Sequence, residues 1–451
     1  MMDNESYFLS ITESLAGLSV FYGLRQHPLM NAFINAVSLK TDDGNYAPLK
    51  TWACFTAAFA KYSDDTSFGR LIYRLALADV NDFTLAVECG CLDENSFISK
   101  IAANDITALS YVAAFDFKRF MSFFAEILCK NGTYNGALAR IEEEVDFLAS
   151  LCRYDPPWKD LWNINEFISF IRKNGAGDLA CSNFFYISNG KLQPAVNSDP
   201  VQLRDLSGYE DERQVVVSNT LRFLSVNTAC TPAANLTAAN NILLYGDRGC
   251  GKSATVKAIC NEYAGQGLRL VELRKTELAS LPAIMHILGW RGLRFILFID
   301  DLSFETGDSD FMMLKAMLEG GIETKPSNVV IYATSNRRHF VKESNSDRPS
   351  SQNDVRAFDT MQEQLSLADR FGLTVIFSAP SQDEYLNIAV FIAQKYGILP
   401  KDPDAEQLKH FKENALRWER WFNGRSPRTA AQFVEWIAAG EDFPWDEYRK
   451  S

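Results

Sequence analysis

The sequence predicts an α/β fold: a parallel five-stranded sheet, preceded by a mostly α-helical N-terminal domain and followed by a helical C-terminal subdomain. Three observations carry this. Apolar residues recur at three- and four-residue spacing from residue 5 to about 173, the period of amphipathic helices. Five short, nearly continuous apolar runs then alternate with helical or loop sequence, the pattern of parallel strands buried on both faces. The first run opens directly into a glycine-rich loop and a helix.

Taken in order, residues 1–173 form the helical domain, with segments such as LKTWACFTAAFAKY and FKRFMSFFAEILCK separated by turn-like clusters TDDGN, KNGTYNG and YDPPW. Residues 174–200, NGAGDLACSNFFYISNGKLQPAVNSDP, are rich in Gly, Asn, Ser and Pro and read as a linker with a hairpin embedded in it. Residues 201–380 carry the strands: NILLY (241–245), RLVEL (269–273), RFILFID (294–300), NVVIYATS (328–335) and LTVIFSA (373–379). The polar stretch 341–360 falls between two of these strands and is expected to be exposed. Residues 381–451 return to the helical period and form a small lid-like subdomain.

Composition excludes several classes. The 451 residues are 47% hydrophobic and 23% charged, so the chain is not disordered. No uninterrupted apolar stretch, that around Phe295 to Ile299 included, approaches the roughly 18 residues of a spanning helix. The first ten residues, MMDNESYFLS, carry acids where a leader peptide needs bases, so a cytoplasmic location is expected. The nine cysteines are odd in number and scattered, which suggests buried thiols in a reducing compartment; a zinc site lacks paired ligand spacing. The net charge of −12 divides into −8 over residues 1–200 (16 bases, 24 acids) and −4 over the remainder (29 bases, 33 acids). Neither part has the basic field of a nucleic-acid-binding domain.

NILLYGDRGCGKS matches GxxxxGK followed by Ser, and it stands between a strand and a helix. The glycines Gly246, Gly249 and Gly251 let the backbone turn its N–H groups inward at a helix N-terminus, where the dipole favours an anion. Lys252 then reaches the β and γ phosphates of a nucleotide, and Ser253 gives a hydroxyl to Mg²⁺. Asp247, Arg248 and Cys250 fill the variable loop positions and Ala254 follows Ser253; Cys250 reads as a small residue more than a nucleophile. FILFIDD places Asp300 and Asp301 at the carboxyl end of a strand. Asp300 is the candidate Mg²⁺ ligand, through its water shell, and Asp301 stands where a Glu commonly polarises the attacking water. Asn336, at the tip of the next strand, is the candidate that orients that water. Arg370 precedes the fifth strand and is suited to stabilising transition-state charge in a neighbouring subunit's site. Arg428, at the head of a C-terminal helix, is favoured as a γ-phosphate contact, with Arg425 a close second.

This order of motifs resembles that of AAA+ ATPases, whose sheet order 5-1-4-3-2 accommodates the extra strand RLVEL. More narrowly, LYGDRGCGKS, FIDDLSFE, ATSNRRH and LSLADRFGL resemble the bacterial family known as domain of unknown function 815. The resemblance covers residues 201 to about 440 and leaves the first 170 unaddressed. It implies ATP and Mg²⁺ as cofactors and an adenine-side stretch at Leu206, Gly208 and Tyr209, where Tyr209 also reads as an ordinary helix-start residue. Asp301 departs from the common Glu, so slow hydrolysis is a live alternative; Glu305 stands four residues on as a potential assistant.

Two functional readings follow. In the first, a ring-forming homo-oligomer hydrolyses ATP to remodel a protein client held by the N-terminal helical domain. In the second, the chain is an ATP-gated switch or loader with slow or negligible hydrolysis. A small-molecule kinase would leave Asn336, Arg370 and Arg428 without roles.

Overall fold

The computed structural model describes residues 4–38, 47–63, 66–130, 135–151, 162–225, 239–302, 325–336, 370–422 and 424–440, with a few isolated positions between them. The chain divides into two compact units, Met1–Cys181 and Ser182–Ser451.

The first unit is helical throughout its described residues. Its helices are α1 (Asn4–Ala16), α2 (Pro28–Val37), α3 (Ala47–Tyr62), α4 (Phe68–Ala78), α5 (Asp82–Glu88), α6 (Phe97–Ala113), α7 (Phe117–Lys130), α8 (Asn135–Leu151), α9 (Ile164–Asn174) and α10 (Asp178–Cys181). Side-chain caps start them where the sequence supplies them: Ser67 before α4, Asn81 with Thr84 as a reciprocal box on α5, and Ser96 before α6. Their apolar stripes meet in an aromatic core in which Phe33 lies 4.6 Å from Phe68 and Phe115 lies 4.9 Å from Phe117, centroid to centroid. The buried Asp105 of α6 accepts three backbone N–H bonds, from Ser19, Val20 and Phe21, at 2.9, 2.7 and 3.1 Å, and so ties down the chain after α1. The thiols are not uniformly buried and reduced: Cys54 and Cys181 are exposed, and Cys91 takes part in a disulfide.

The second unit is built on a sheet of seven strands where the sequence reading expects five. They are β1 (Phe184–Ser188), β2 (Lys191–Pro194), β3 (Ile242–Gly246), β4 (Leu268–Glu272), β5 (Arg294–Ile299), β6 (Val329–Asn336) and β7 (Leu373–Phe377), arranged β2-β1-β4-β5-β6-β3-β7. The apolar runs are β3 to β7, all parallel, and numbered among themselves they stand in the order 2-3-4-1-5. The two additional strands are the hairpin embedded in residues 174–200, so that Phe184–Pro194 of this segment belong to the sheet, and the boundary between the two units falls just before them. Asn189 and Gly190 both take positive φ, 53° and 69°, and close a tight turn between β1 and β2. Phe184, Phe185 and Ile187 of β1 are buried, and β1 runs parallel to β4, with Phe184 opposite Leu270. The Gly, Asn and Pro content of a linker is also that of a hairpin's flanks, and composition alone does not separate them.

Helix α11 (Glu210–Ser225) packs on the sheet and is fastened by Asn219, which donates to the carbonyl of Asn240 at 2.9 Å and to the Tyr332 hydroxyl at 3.1 Å. Helix α12 (Lys252–Tyr263) follows β3, and α13 (Leu281–Gly289) precedes β5. After β7 come α14 (Gln382–Lys395), α15 (Ala405–Trp421) and α16 (Pro427–Ala439), packed around Tyr385, Phe411, Trp418 and Phe433. Ser381, Asp404 and Ser426 cap their N-termini, and Gly440 in the left-handed region ends α16. No described helix is long and apolar enough to cross a membrane.

Lys325, ahead of β6, donates to Asn241 Oδ1 at 2.9 Å, and burial pushes its ammonium pKa down to about 8. The unfolded chain keeps the ordinary higher value, so between about pH 8 and 10.5 it binds the extra proton and stability rises with pH. Below that window the buried charge opposes folding in full. Lys325→Met is expected to stabilise the protein by about 2 kcal/mol at pH 7, with the gain vanishing above about pH 10.5. Thermal melts of both proteins across this range check it; an equal shift at every pH would refute the titration argument.

Candidate functional site

The glycine-rich loop joins β3 to α12. Gly246 has φ +141°, and a Cβ there would lie 2.0 Å from the carbonyl oxygen of Phe377 on β7. The chain turns out of the sheet at this point only because no side chain is present. The loop is then sewn to the end of β7: the Asp247 N–H donates to Phe377 O at 3.0 Å, and the Asp247 carboxylate accepts from the Ala379 N–H at 2.8 Å. Gly251, with φ +85°, is the N-cap of α12 and supplies no side-chain cap. The amides of the first turn of α12 therefore stay available to an anion.

Lys252 is only 7% exposed and folds over this loop, its ammonium donating to Gly246 O at 2.9 Å, Asp247 O at 2.8 Å and Asn336 Oδ1 at 3.3 Å. Burial holds its pKa below the ordinary lysine value even though the carboxylates of Asp247, Asp300 and Asp301 act to raise it, and each group it donates to is neutral. Ser253 donates to Asp300 Oδ1 at 2.6 Å. A hydroxyl and a carboxylate in contact are the hard oxygen donors that Mg²⁺ takes, so the residues fit that ion.

The acidic pair sits just beyond β5. Asp300 Oδ1 accepts a second bond at 2.6 Å from the hydroxyl of Thr334, and the Asp301 N–H donates to that same hydroxyl at 2.8 Å. Asp301 takes φ +53°, and its carboxylate accepts from the Asn336 amide. The side chains of Ser253, Asp300, Thr334, Asp301, Asn336 and Lys252 are thus joined by one continuous series of bonds, through the Asp301 backbone at one link, spanning α12 and the ends of β5 and β6.

All of these residues line one cavity of about 860 Å³, within the range of nucleotide-sized pockets. Tyr209 closes another side of it. Its φ is +62°, its ring lies 5.3 Å from that of Phe377, and its hydroxyl donates to the Ser378 carbonyl at 2.6 Å. Burial raises the Tyr209 phenol pKa and the Cys250 thiol pKa alike, so the positive loop does not activate Cys250 as a thiolate. Arg213 holds the turn before α11 through the carbonyls of Leu206 and Gly208. Lys395 of α14 reaches across to Asp205 at 2.8 Å, and this bond holds the Asp205 carboxyl below its usual range.

The remaining sequence candidates separate. Arg248, Gly249 and Ala254 line the cavity, as does Arg428, whose backbone N–H donates to Gly249 O at 3.2 Å. Arg425 does not line it and pairs with Glu419 at 2.6 Å. Arg370, just before β7, does not line it either. Glu305 and the stretch 341–360 lie outside the described residues. The sequence reading passed over Thr334, Asp205 and Lys395. Thr334 shares a strand face with Asn336, two residues on, and that period was its available signal; nothing local marks the other two.

The family whose model matches this chain is described as protein of unknown function (DUF815), and it matches residues 180–441. The chain belongs to this family. DUF815 membership covers the seven-stranded unit and its cavity and leaves nearly all of the first unit unmatched. No curated protein matches the chain. Among solved structures, the Thermotoga maritima RuvB Holliday junction branch migration motor is similar at 17% identity and a TM-score of 0.32, and a single-residue variant of RuvB at 15% and 0.33. Each similarity covers 53% of this chain and 65% of the RuvB chain, less than two thirds of the latter's length.

Proposed function

We propose that this DUF815 protein is an AAA+ ATPase that hydrolyses ATP to ADP and phosphate and couples the cycle to remodelling a protein client. The observation that carries the reading is the series of bonds from Ser253 to Lys252 around a single cavity beside an uncapped helix N-terminus.

In this reading the triphosphate lies along the loop amides, and Lys252 exchanges its loop carbonyls for phosphate oxygens. Bound Mg²⁺, held by Ser253 and by Asp300 through water, supplies charge neutralisation at the phosphates. Asp301 accepts the proton of the attacking water, and Asn336, already bonded to both Asp301 and Lys252, positions that water between base and phosphate. Tyr209 and the Leu206–Gly208 turn face the base. Helices α14 to α16 act as a lid in which Arg428 contacts the γ-phosphate. Arg370, away from this cavity, acts in the site of the next subunit of a homo-oligomeric ring. The N-terminal helical unit holds the client. The acidic chain suits a protein partner better than a nucleic acid.

One observation favours the second reading, an ATP-gated switch or loader with slow hydrolysis. The Asp301 carboxylate is one methylene shorter than the usual Glu and is already engaged by Asn336.

Steady-state ATP turnover per subunit across a wide protein concentration range separates the two, with particle size followed in ATP and in ADP. The remodelling ATPase is expected to show specific activity rising as an ATP-dependent oligomer forms, and Asp301→Asn is expected to lower turnover about 100-fold while ATP binding persists. Tight binding with negligible turnover by a monomer at every concentration would favour the switch.

A further inference from the structure

Thr334 stands two residues before Asn336 in the stretch ATSNRRH and has no part in the reading above, yet the acidic turn hangs on it. It is 2% exposed, on β6 opposite Leu244 of β3. Three hydrogen bonds connect it to the three residues that follow β5. Its hydroxyl meets Asp300 Oδ1 at 2.6 Å and the Asp301 N–H at 2.8 Å, and its carbonyl accepts from the Leu302 N–H at 2.7 Å. Ser335, the next residue, adds a bond from its hydroxyl to the Leu302 carbonyl at 2.8 Å.

The direction of the hydroxyl proton follows from these partners. A backbone N–H only donates, so the hydroxyl accepts from Asp301 and its single proton goes to Asp300. That proton is matched to an ionised Asp300. It remains as a donor when Ser253, the carboxylate's other partner, turns toward a metal ion. Asp301, for its part, occupies the left-handed region at φ +53°, which residues other than glycine seldom take. The bonds of Thr334 to the N–H groups of residues 301 and 302 are what hold it there.

We propose that Thr334 is a positioning residue of the ATPase site: one hydroxyl aims Asp300 at the Mg²⁺ position and keeps Asp301 in the turn that brings its carboxylate to Asn336. This rests on the ATPase reading above, and it adds a side chain to which that reading gives no role. Valine has the shape of threonine and neither the donor nor the acceptor; serine keeps both.

The test compares the full-length wild type with Thr334→Val and Thr334→Ser. A fluorescent ATP analogue is titrated in EDTA and again in Mg²⁺, and kcat and KM are measured separately. The valine variant is expected to bind within about threefold of wild type in EDTA, to lose about tenfold of the Mg²⁺-dependent gain in affinity, and to drop kcat about 30-fold with a smaller change in KM. The serine variant is expected within about threefold of wild type throughout. A valine variant with the wild-type Mg²⁺ response, or a serine variant as impaired as valine, overturns the proposal. If the wild type binds the analogue without turning over ATP, the ATPase reading fails, and the Mg²⁺ response alone decides the role of Thr334. Should the valine variant lose the wild-type melting transition, Thr334→Ala takes its place in the same comparison.

Discussion

Replacing Lys252 with alanine is expected to weaken ATP binding at least 100-fold while leaving the fold intact. The physical basis is the state of the ammonium before any nucleotide arrives. It is nearly enclosed, and it spends its three donors on two loop carbonyls and one side-chain amide. None of these acceptors carries a charge, and burial lowers its pKa. A phosphate oxygen in place of any of them turns a neutral hydrogen bond into a charge-assisted one, about twice as strong and in a site shielded from water. The same argument fixes the pH dependence. Phosphate raises the depressed pKa back, so binding takes up a proton, and affinity falls as pH rises through the lysine's value in the free protein. Titration of a fluorescent ATP analogue against wild type and Lys252→Ala, each checked by thermal melting, tests this. Affinities within threefold of one another, with matching melts, would sink the phosphate-cradle assignment.

The second large effect is expected at Gly246. A methyl at this position would meet the Phe377 oxygen at 2.0 Å, its carbonyl carbon at 2.6 Å and its nitrogen at 3.0 Å. These are backbone atoms of the strand registered directly opposite, and they have no rotamer by which to withdraw. The positive φ of 141° adds strain for any residue with a Cβ. Gly246→Ala therefore forces β3 and β7 apart where the loop begins, with the bond from Asp247 N–H to Phe377 O lost as well. A destabilisation of at least about 3 kcal/mol is expected, together with loss of nucleotide binding. Gly251→Ala is the contrast: it shares a positive φ, but a Cβ there meets nothing within 4 Å. Thermal melts should therefore place it well above Gly246→Ala; equal losses would show that backbone strain, and not the contact with β7, sets the cost.

Much of the sheet was legible before any coordinates. Five apolar runs became β3 to β7 because strands buried on both faces need no alternation, and a continuous apolar run is the plainest signal a sequence can carry. The hairpin of β1 and β2 was visible too, through Asn189 and Gly190, but its place at the edge of β4 was not. A turn is written in two adjacent residues, whereas pairing with a strand some 80 positions away depends on which buried edge lacks a neighbour. Cys91 shows a different limit: an odd, scattered set of cysteines pointed to free thiols, and spacing alone did not reveal its disulfide.

The candidate site divides in the same way. Gly246 to Ser253 is a contiguous motif whose glycine turn and opening helix follow from adjacent residues, although its bonds to β7, Asp300 and Asn336 do not. The acids at 300 and 301 were legible as a strand end. What the sequence by itself determined was therefore this set of local conformations: the strands, the glycine turn and the helix that begins at Lys252. The tertiary structure alone decided which side chains from distant strands meet there. It brought Thr334 to Asp300 and Asp301, set Asn336 between Asp301 and Lys252, committed Arg425 to Glu419, and kept Arg370 out of the cavity. The reason is the range of the interactions. Backbone torsions and helix or strand periods depend on neighbours within a few residues, while a hydrogen bond across a sheet depends on register, which is settled only when the whole core packs.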